Sequence, residues 1–480
     1  MPVTIGRAGS LSSRCGPHRV INRPSAEGFS RHNEEYTMDH VRSTLRLLVI
    51  VLVSAALAAC ATGADQHGYD HGDNREHERY DDDHHNEADH NEAAHNNDDH
   101  DDQAPHDGTP HQHEGAGGRL LVATSRGTIA VLDAHDGDVE AIFARALSGG
   151  SLAAHAGPSG EFGYVVHRDA SIVVVVDSGQ ILEEHDGHED LELGPISILG
   201  QVRAGKRPSH FTTMAGRVGF YNEESGDVTI LEEARLRSGA SYRLIPALVG
   251  RGAPVLLSDR LIIGYADESF AEVIGYDGYV QQSIPDVRGA QGAARVGRFS
   301  AIGTVDGVLI VTQTGDRFDA ETVPNPPGTP NGARTGTIAA HPRLPHFVGD
   351  LGQGLVTVDP QTLTSVAHQL PAAPWHFGID RSGHYVVVLG QDGLVYVLDS
   401  ESFEILGSVE AVSARDTDAA RGTPAPALTL GRRVAYVSDP SANRILEIHL
   451  DEVEIEGEFR LDLDGTVTSI ALMVTDGVVH

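Results

Sequence analysis

Apolar residues are concentrated in short runs that are joined in pairs by turns rich in glycine and acidic residues. The pattern starts at Arg119 and recurs to the end of the chain. Valine, isoleucine, leucine and tyrosine dominate the runs and no helical period separates them, which is typical of antiparallel β-hairpins. The predicted hairpins span residues 119–133, 164–177, 217–232, 260–277, 301–313, 346–359, 385–399 and 434–451.

The spacing of the hairpins predicts the architecture. They recur roughly every 40–50 residues, a period typical of a β-propeller, whose blades are four-stranded antiparallel sheets. We therefore predict an all-β fold, a β-propeller of eight blades over residues 118–480; the alternative is seven blades, if one hairpin is an insertion. The first hairpin lacks a preceding strand and the apolar run 466–474 lacks a following hairpin. The C-terminal run is therefore expected to close the ring as the inner strand of blade 1.

Aspartates follow four of the predicted strands. One interpretation is a ring of carboxylates. The other, which we favour, is that each side chain caps the turn that follows it. The residues concerned are Asp133, Asp177, Asp359 and Asp399.

Residues 38–60 predict an export signal. Two arginines precede an apolar run that is too short to span a bilayer and that ends in Leu-Ala-Ala-Cys60. Small residues before a cysteine resemble a bacterial lipobox, in which the cysteine is lipidated and becomes the mature N-terminus; a plain secretory signal with a chance cysteine is the alternative. Residues 1–37 precede the signal without an apolar period, and we interpret them as a non-native extension. We expect an exported, monomeric lipoprotein of the cell membrane that faces the periplasm or the cell exterior.

Composition excludes several classes of protein. The 480 residues include 35 Lys and Arg against 69 Asp and Glu, a net charge of −34, which argues against nucleic acid as a partner. Cys15 and Cys60 are the two cysteines, so a cysteine zinc finger, an iron–sulfur cluster and a disulfide framework are not expected. The chain has no GxSxG or HExxH motif and no candidate cysteine nucleophile, and we expect no enzymatic activity.

Residues 61–117 are predicted to be a disordered tail, because they carry too little apolar surface to offset the entropy of ordering. Eleven of the residues between 61 and 115 are histidines, set among acidic and amide side chains. Imidazole is largely neutral at pH 7 and is a good ligand for zinc, copper and nickel. A flexible tail offers many weak, exchangeable sites and no rigid tetrahedral site. An acidic spacer is the alternative. The candidate ligands are His67, His71, His84, His85, His90, His95, His100, His111 and His113.

Four further candidates for metal binding lie in the propeller. His210 and His376 occur in PSHF and PWHF, each two residues after a proline and at the start of a predicted inner strand, which faces the axial funnel. His167 and Asp169 lie near the turn between the second and third strands of a blade. A lone histidine on a strand is more often structural, and blades 3 and 7 place His210 and His376 across the funnel from one another.

Four stretches, together with the export signal and the histidine-rich tail, resemble the AztD family. They are PSHF (208–211), HPRLPHFVGD (341–350), PWHFGIDRSG (374–383) and GTPAPAL with RVAYVSDP (422–440). The resemblance covers roughly residues 61–475. It implies a periplasmic zinc chaperone with a propeller fold, which passes zinc to the solute-binding protein of an ABC importer; other divalent transition metals are alternatives.

The resemblance is incomplete in two places. The family's His-His-Gly and His-Gly-Glu motifs correspond here to Gly250-Arg251-Gly252 and Gln291-Gly292-Ala293. This implies that part of the family's histidine site is missing, whereas His210 and His376 match. The alternative function is a membrane-anchored propeller that acts as a scaffold for protein partners and has no metal role.

Overall fold

The structure is a computed structural model that describes residues 118–185, 188–203, 205–239, 241–330, 332–414 and 424–475. This part of the chain is built of β-strands and one short 3₁₀ helix, Glu233–Ser238. The predictions for residues 1–117, which include the signal, Cys60 and the tail histidines, lie outside the described residues. Within the described ranges, no helix has the length and apolarity needed to cross a membrane.

The strands follow one another blade by blade. Blade 1 begins with β1 (Arg119–Thr124), β2 (Ile129–Asp133) and β3 (Val139–Phe143). Blade 2 contains β4 (Leu152–Ala156), β5 (Phe162–His167) and β6 (Ile172–Asp177), then an inserted hairpin of β7 (Gln180–His185) and β8 (His188–Leu193), and finally β9 (Ser197–Val202). Blade 3 contains β10 (Pro208–Met214), β11 (Arg217–Asn222), β12 (Asp227–Glu232) and β13 (Tyr242–Pro246). Blade 4 contains β14 (Gly252–Leu256), β15 (Arg260–Tyr265), β16 (Phe270–Gly275) and β17 (Val280–Pro285).

The second half of the ring repeats the same arrangement. Blade 5 contains β18 (Ala293–Val296), β19 (Phe299–Gly303), β20 (Gly307–Thr314) and β21 (Arg317–Pro324). Blade 6 contains β22 (Thr335–Ala339), β23 (Phe347–Leu351), β24 (Gly354–Asp359) and β25 (Thr364–Gln369). Blade 7 contains β26 (Pro374–Ile379), β27 (Tyr385–Gly390), β28 (Leu394–Asp399) and β29 (Ile405–Glu410). Blade 8 contains β30 (Leu428–Leu430), β31 (Val434–Asp439), β32 (Arg444–His449) and β33 (Glu454–Arg460), and β34 (Val467–Met473) follows it.

Eight four-stranded sheets confirm the predicted eight-bladed propeller. In seven of the sheets the four strands pair in chain order, as in β10-β11-β12-β13. In blade 2 the inserted hairpin separates the third strand from the fourth in sequence, and the sheet order is β4-β5-β6-β9. The eight predicted hairpins are the second and third strands of the eight blades. The inserted hairpin β7–β8 forms a separate two-stranded sheet and was not predicted.

The ring closes as predicted, by pairing of the C-terminal strand with the first strand. The sheet of blade 1 has the order β3-β2-β1-β34. β34 runs antiparallel to β1, with Leu121 opposite Ala471 and Arg119 opposite Met473. Two segments from opposite ends of the domain thus share one sheet, and β34 supplies the inner strand that completes blade 1.

The core consists of apolar layers between neighbouring blades. The second and third strands are buried on both faces; in β6, for example, every residue from Ile172 to Asp177 is buried. This explains the continuous apolar runs in these strands, because a strand covered on both sides has no polar face. The outermost strands combine exposed and partly buried positions, as in β25. Packing between blades, rather than within one blade, therefore stabilises the ring.

The innermost strands converge on the axis and define the two faces of the ring. These inner strands are β34, β4, β10, β14, β18, β22, β26 and β30, and successive members such as β10, β14, β18 and β22 lie against one another. We call the face on which the inner strands begin the top face. The turns between the second and third strands lie on the same face, because neighbouring strands run antiparallel.

Candidate metal centre

His210 and His376 occupy the same position in their blades, at the top-face end of an inner strand. In β10 the partner of Pro208 is Asn222, but the partner of Phe211 is Phe220, so one extra residue is accommodated between them. In β26 the register shifts between Pro374 and His376 in the same way. Such β-bulges redirect side chains and are enriched beside functional sites. Blades 3 and 7 are opposite members of the ring of eight, as predicted from the spacing.

The surroundings of His210 combine a partly buried imidazole with two ion pairs. Burial lowers the pKa of His210 below the ordinary value of histidine. The negative charge of Glu223 opposes this shift, and the positive charges of Arg168 and Arg251 increase it. Arg168 pairs with Glu223, and Arg251 pairs with Asp267 at 2.9 Å. A histidine whose pKa is lowered is neutral at pH 7 and keeps a lone pair for a metal. The two guanidinium groups, however, disfavour a divalent cation at this point.

His376 retains an exposed surface at the start of β26. The neighbouring blades still surround the ring of this side chain, and burial lowers its pKa, whereas a hydrogen bond with the backbone of Pro426 opposes the shift. The side chain is thus a neutral imidazole that solvent can reach. It is the better placed of the two histidines for exchange of an ion with the surroundings.

His167 and Asp169 occupy different environments. The His167 side chain is 4% exposed, its Nε2 lies 2.9 Å from Ser148 Oγ, and its Nδ1 accepts the N–H of Ala170 at 3.2 Å. Both ring nitrogens therefore have partners, and binding of a metal would cost one hydrogen bond. Asp169 is exposed on the top-face turn between β5 and β6. The proposal that these two residues bind a metal stays a prediction.

One group of potential ligands was missed from the sequence. Within the described ranges, the ligand atoms of His449, Asp451 and Glu452 form the one set of three that lies within 4.8 Å. They lie at the end of β32 on the bottom face, and the local sequence HLDE is the signal that was overlooked. Arg433 and the Tyr385 hydroxyl both bind the Asp451 carboxylate. Burial raises the pKa of Asp451, but these partners outweigh it and lower the pKa overall. Asp451 is thus already neutralised by a cation.

The carboxylates at strand ends cap turns, which confirms the favoured interpretation. Each accepts a hydrogen bond from a backbone N–H two or three residues further along the chain. The distances are 2.7 Å for Asp133, 2.9 Å for Asp177, 2.7 Å for Asp359 and 2.7 Å for Asp399.

Comparison with known proteins finds similarity in sequence and in fold to a zinc chaperone. No family model matches the chain. The zinc chaperone AztD of Citrobacter koseri is 24% identical over 383 residues, which cover 75% of this chain and 88% of that protein. The crystal structure of C. koseri AztD superposes with a TM-score of 0.69 at 22% identity and covers 76% of this chain and 99% of that one.

A second structure shares the general fold. The dihydro-heme d1 dehydrogenase NirN superposes with a TM-score of 0.52 at 13% identity, over 73% of this chain and 74% of that one. The chain is therefore similar in sequence to the zinc chaperone AztD over three quarters of its length and, like it, folds as an eight-bladed β-propeller.

Proposed function

We propose that this protein is an exported zinc chaperone, which binds zinc reversibly outside the cytoplasm and passes it to the solute-binding protein of an ABC importer. The observation that carries the proposal is the similarity to AztD along 88% of that zinc chaperone. The likeness extends over three quarters of this chain rather than over a single repeat. A general likeness between propellers, such as that to NirN, would not favour zinc over any other ligand.

In this proposal, the tail collects zinc and the propeller presents it. Closely spaced imidazoles such as His84 and His85 give weak sites from which an ion exchanges readily. Neutral His210 and His376 at the top face provide further imidazole donors near the axis. Zinc prefers four ligands, and neither histidine belongs to a described set of three. Each would therefore bind zinc together with ligands from the tail or from the partner protein.

We also propose that lipidation of Cys60 anchors the protein to the membrane. The mature chain would then begin at that residue, and residues 1–59 would be absent from it. The intact mass of the membrane-extracted protein should correspond to a chain that begins at a lipid-modified Cys60. A mature protein that begins at Met1 or Met38 would contradict this part of the proposal.

Zinc titration of the mature chain tests the metal role. We expect wild-type protein to compete with a chromophoric chelator for several zinc ions. A variant with the nine candidate tail histidines replaced by glutamine keeps the tail's length and acidic charge, and it should lose most of this capacity. The double variant H210A/H376A should lose a smaller part, whereas H341A, on the bottom face, serves as the control and should retain it. Binding no tighter than about millimolar in the wild type would contradict a chaperone role.

A further inference from the structure

The hairpin inserted in blade 2 is not needed to complete the propeller. Strands β7 and β8 pair with each other in a separate two-stranded sheet, whereas β9 supplies the fourth strand of the blade. An isolated two-stranded hairpin is only marginally stable in water. A segment that the fold does not require, and that gains little stability by itself, is a candidate for a separate function.

The base of this hairpin is fixed to the propeller. Gln180, the first residue of β7, is fully buried, and its Nε2 donates to the carbonyl oxygen of Met473 in blade 1 at 3.0 Å. The carbonyl oxygen of Gln180 accepts a hydrogen bond from Arg237 of the 3₁₀ helix, also at 3.0 Å. Just beyond the two strands, the N–H of Gly194 donates to the carbonyl oxygen of Gly179 at 2.6 Å. The two strands therefore leave the propeller from a fixed base.

The backbone register places two histidines opposite one another at the tip of the hairpin. His185 pairs with His188, and the two residues between them in the sequence are Asp-Gly, a dipeptide favoured in two-residue hairpin turns. Residues that pair across two strands have Cβ atoms about 5 Å apart. Because zinc binds an imidazole nitrogen at about 2 Å, histidines at such a pair can bind one ion together.

Two carboxylates belong to the same face of the hairpin as the histidine pair. Glu183 pairs with Asp190, and residues two apart along a strand share a face of the sheet. The register therefore groups two imidazoles with two carboxylates, from His185, His188, Glu183 and Asp190. Zinc is typically bound by four nitrogen, oxygen or sulfur ligands, and other divalent transition metals also accept imidazole and carboxylate.

The same register sets negative charges opposite one another. Glu183 faces Asp190 across the strands and Glu184 faces Glu189, and like charges in such pairs destabilise a sheet. The strands QILEEH and HEDLEL contain no lysine or arginine to offset them. A divalent cation would neutralise the first of these pairs and join the two strands, so metal binding and formation of the hairpin would support each other.

We propose that the tip of the hairpin β7–β8 binds a divalent transition-metal cation such as zinc, where the register juxtaposes His185 and His188 with Glu183 and Asp190. The ion links the two strands and stabilises the hairpin. This site shares no residue with the tail or with the histidines of the top face. Its failure would therefore leave the proposed zinc transfer standing, and the two are tested separately.

Hydrogen exchange at pH 7, followed by mass spectrometry at increasing zinc concentrations, tests the site. The protein is the mature chain with the nine candidate tail histidines replaced by glutamine, so that the tail takes up less of the zinc. We expect zinc to slow amide exchange in peptides that cover residues 180–193, with a half-maximal effect below about 100 μM. H185Q/H188Q should raise this concentration at least about tenfold, because two of the four ligands are lost, and E183Q/D190N should raise it by at least about threefold.

E184Q/E189Q is the matched control. It removes two negative charges from the same hairpin, at the pair on the opposite face, and it should leave the half-maximal zinc concentration unchanged within about threefold. The single variant H185Q replaces H185Q/H188Q if that protein fails to fold. Equal weakening by E184Q/E189Q and H185Q/H188Q would indicate general attraction by an acidic hairpin and would overturn the proposal. Exchange in residues 180–193 that does not respond to zinc would overturn it as well.

Discussion

Glu447 makes the stability of the propeller depend on pH at the seam between blades 8 and 1. Its side chain is 9% exposed and lies beside Tyr436. The Tyr436 hydroxyl is 2.8 Å from the carbonyl oxygen of Ala134 in blade 1 and 3.1 Å from Glu447 Oε1. One hydroxyl proton cannot satisfy both acceptors. A protonated Glu447 supplies the second proton, so that Glu447 donates to Tyr436 and Tyr436 donates to Ala134.

The magnitude follows from the pKa of Glu447. The pKa of Glu447 is raised overall from 4.5 to about 7. Burial is the largest cause and the nearby Glu456 adds to it, whereas the hydrogen bond from Tyr436 and the charge of His135 oppose the shift. The folded state therefore binds this proton more tightly than the unfolded state does. The stabilisation is fully present below the unfolded-state pKa and is lost as the pH rises through about 7. A difference of about 2.5 pH units corresponds to about 3 kcal/mol.

The perturbation is E447Q, whose amide is neutral at every pH and still donates to Tyr436. Urea unfolding, followed by circular dichroism at pH 5 and pH 8, gives the free energy of unfolding. We expect E447Q to gain up to about 3 kcal/mol over wild type between pH 5 and pH 8. E454Q, an exposed change on the adjacent strand β33, should follow wild type. The same pH dependence in wild type and E447Q would refute the reasoning.

Two further changes test the packing of the ring. The buried Asp380 carboxylate accepts a hydrogen bond from the backbone N–H of Tyr385 at 2.8 Å and further hydrogen bonds from neighbouring backbone N–H groups. D380A would leave these donors without a partner, so it should lower the free energy of unfolding, measured in urea titrations, by about 3 kcal/mol. A Cβ on Gly303 would lie 2.3 Å from the carbonyl oxygen of Thr335 in the next blade, so G303A should cost about 2 kcal/mol in the same assay. G200A meets no atom within 4 Å and should be close to neutral; equal effects of the two glycine variants would contradict the packing argument.

Most of the fold was predictable from the sequence, because its central strands are buried on both sides. Runs such as IVVVVD in β6 identify a hairpin without any structural knowledge. The closing strand β34 was predictable because a ring of complete blades needs it. The hairpin β7–β8 was not predicted, since QILEEH and HEDLEL carry few apolar residues, and the pattern that revealed the other hairpins is weak there.

The candidate site was predictable in part. His210 and His376 each follow a proline by two residues, and this shared spacing correctly predicted that they lie at the same point of two blades. The bulges beside them depend on strand register, which no local pattern displays. One of the two hydrogen bonds of His167 depends on Ser148, which belongs to the loop before the blade, and the other on the backbone N–H of Ala170.

The most direct test of the proposed function is the kinetics of zinc transfer to the purified solute-binding protein of the organism's zinc importer. The zinc-loaded mature protein is mixed with increasing concentrations of this acceptor, and arrival of the metal is followed by the acceptor's fluorescence. A chaperone predicts a transfer rate that increases with acceptor concentration, because the ion passes within a complex of the two proteins. A rate that equals spontaneous release to a chelator, and that does not depend on acceptor concentration, would contradict the account.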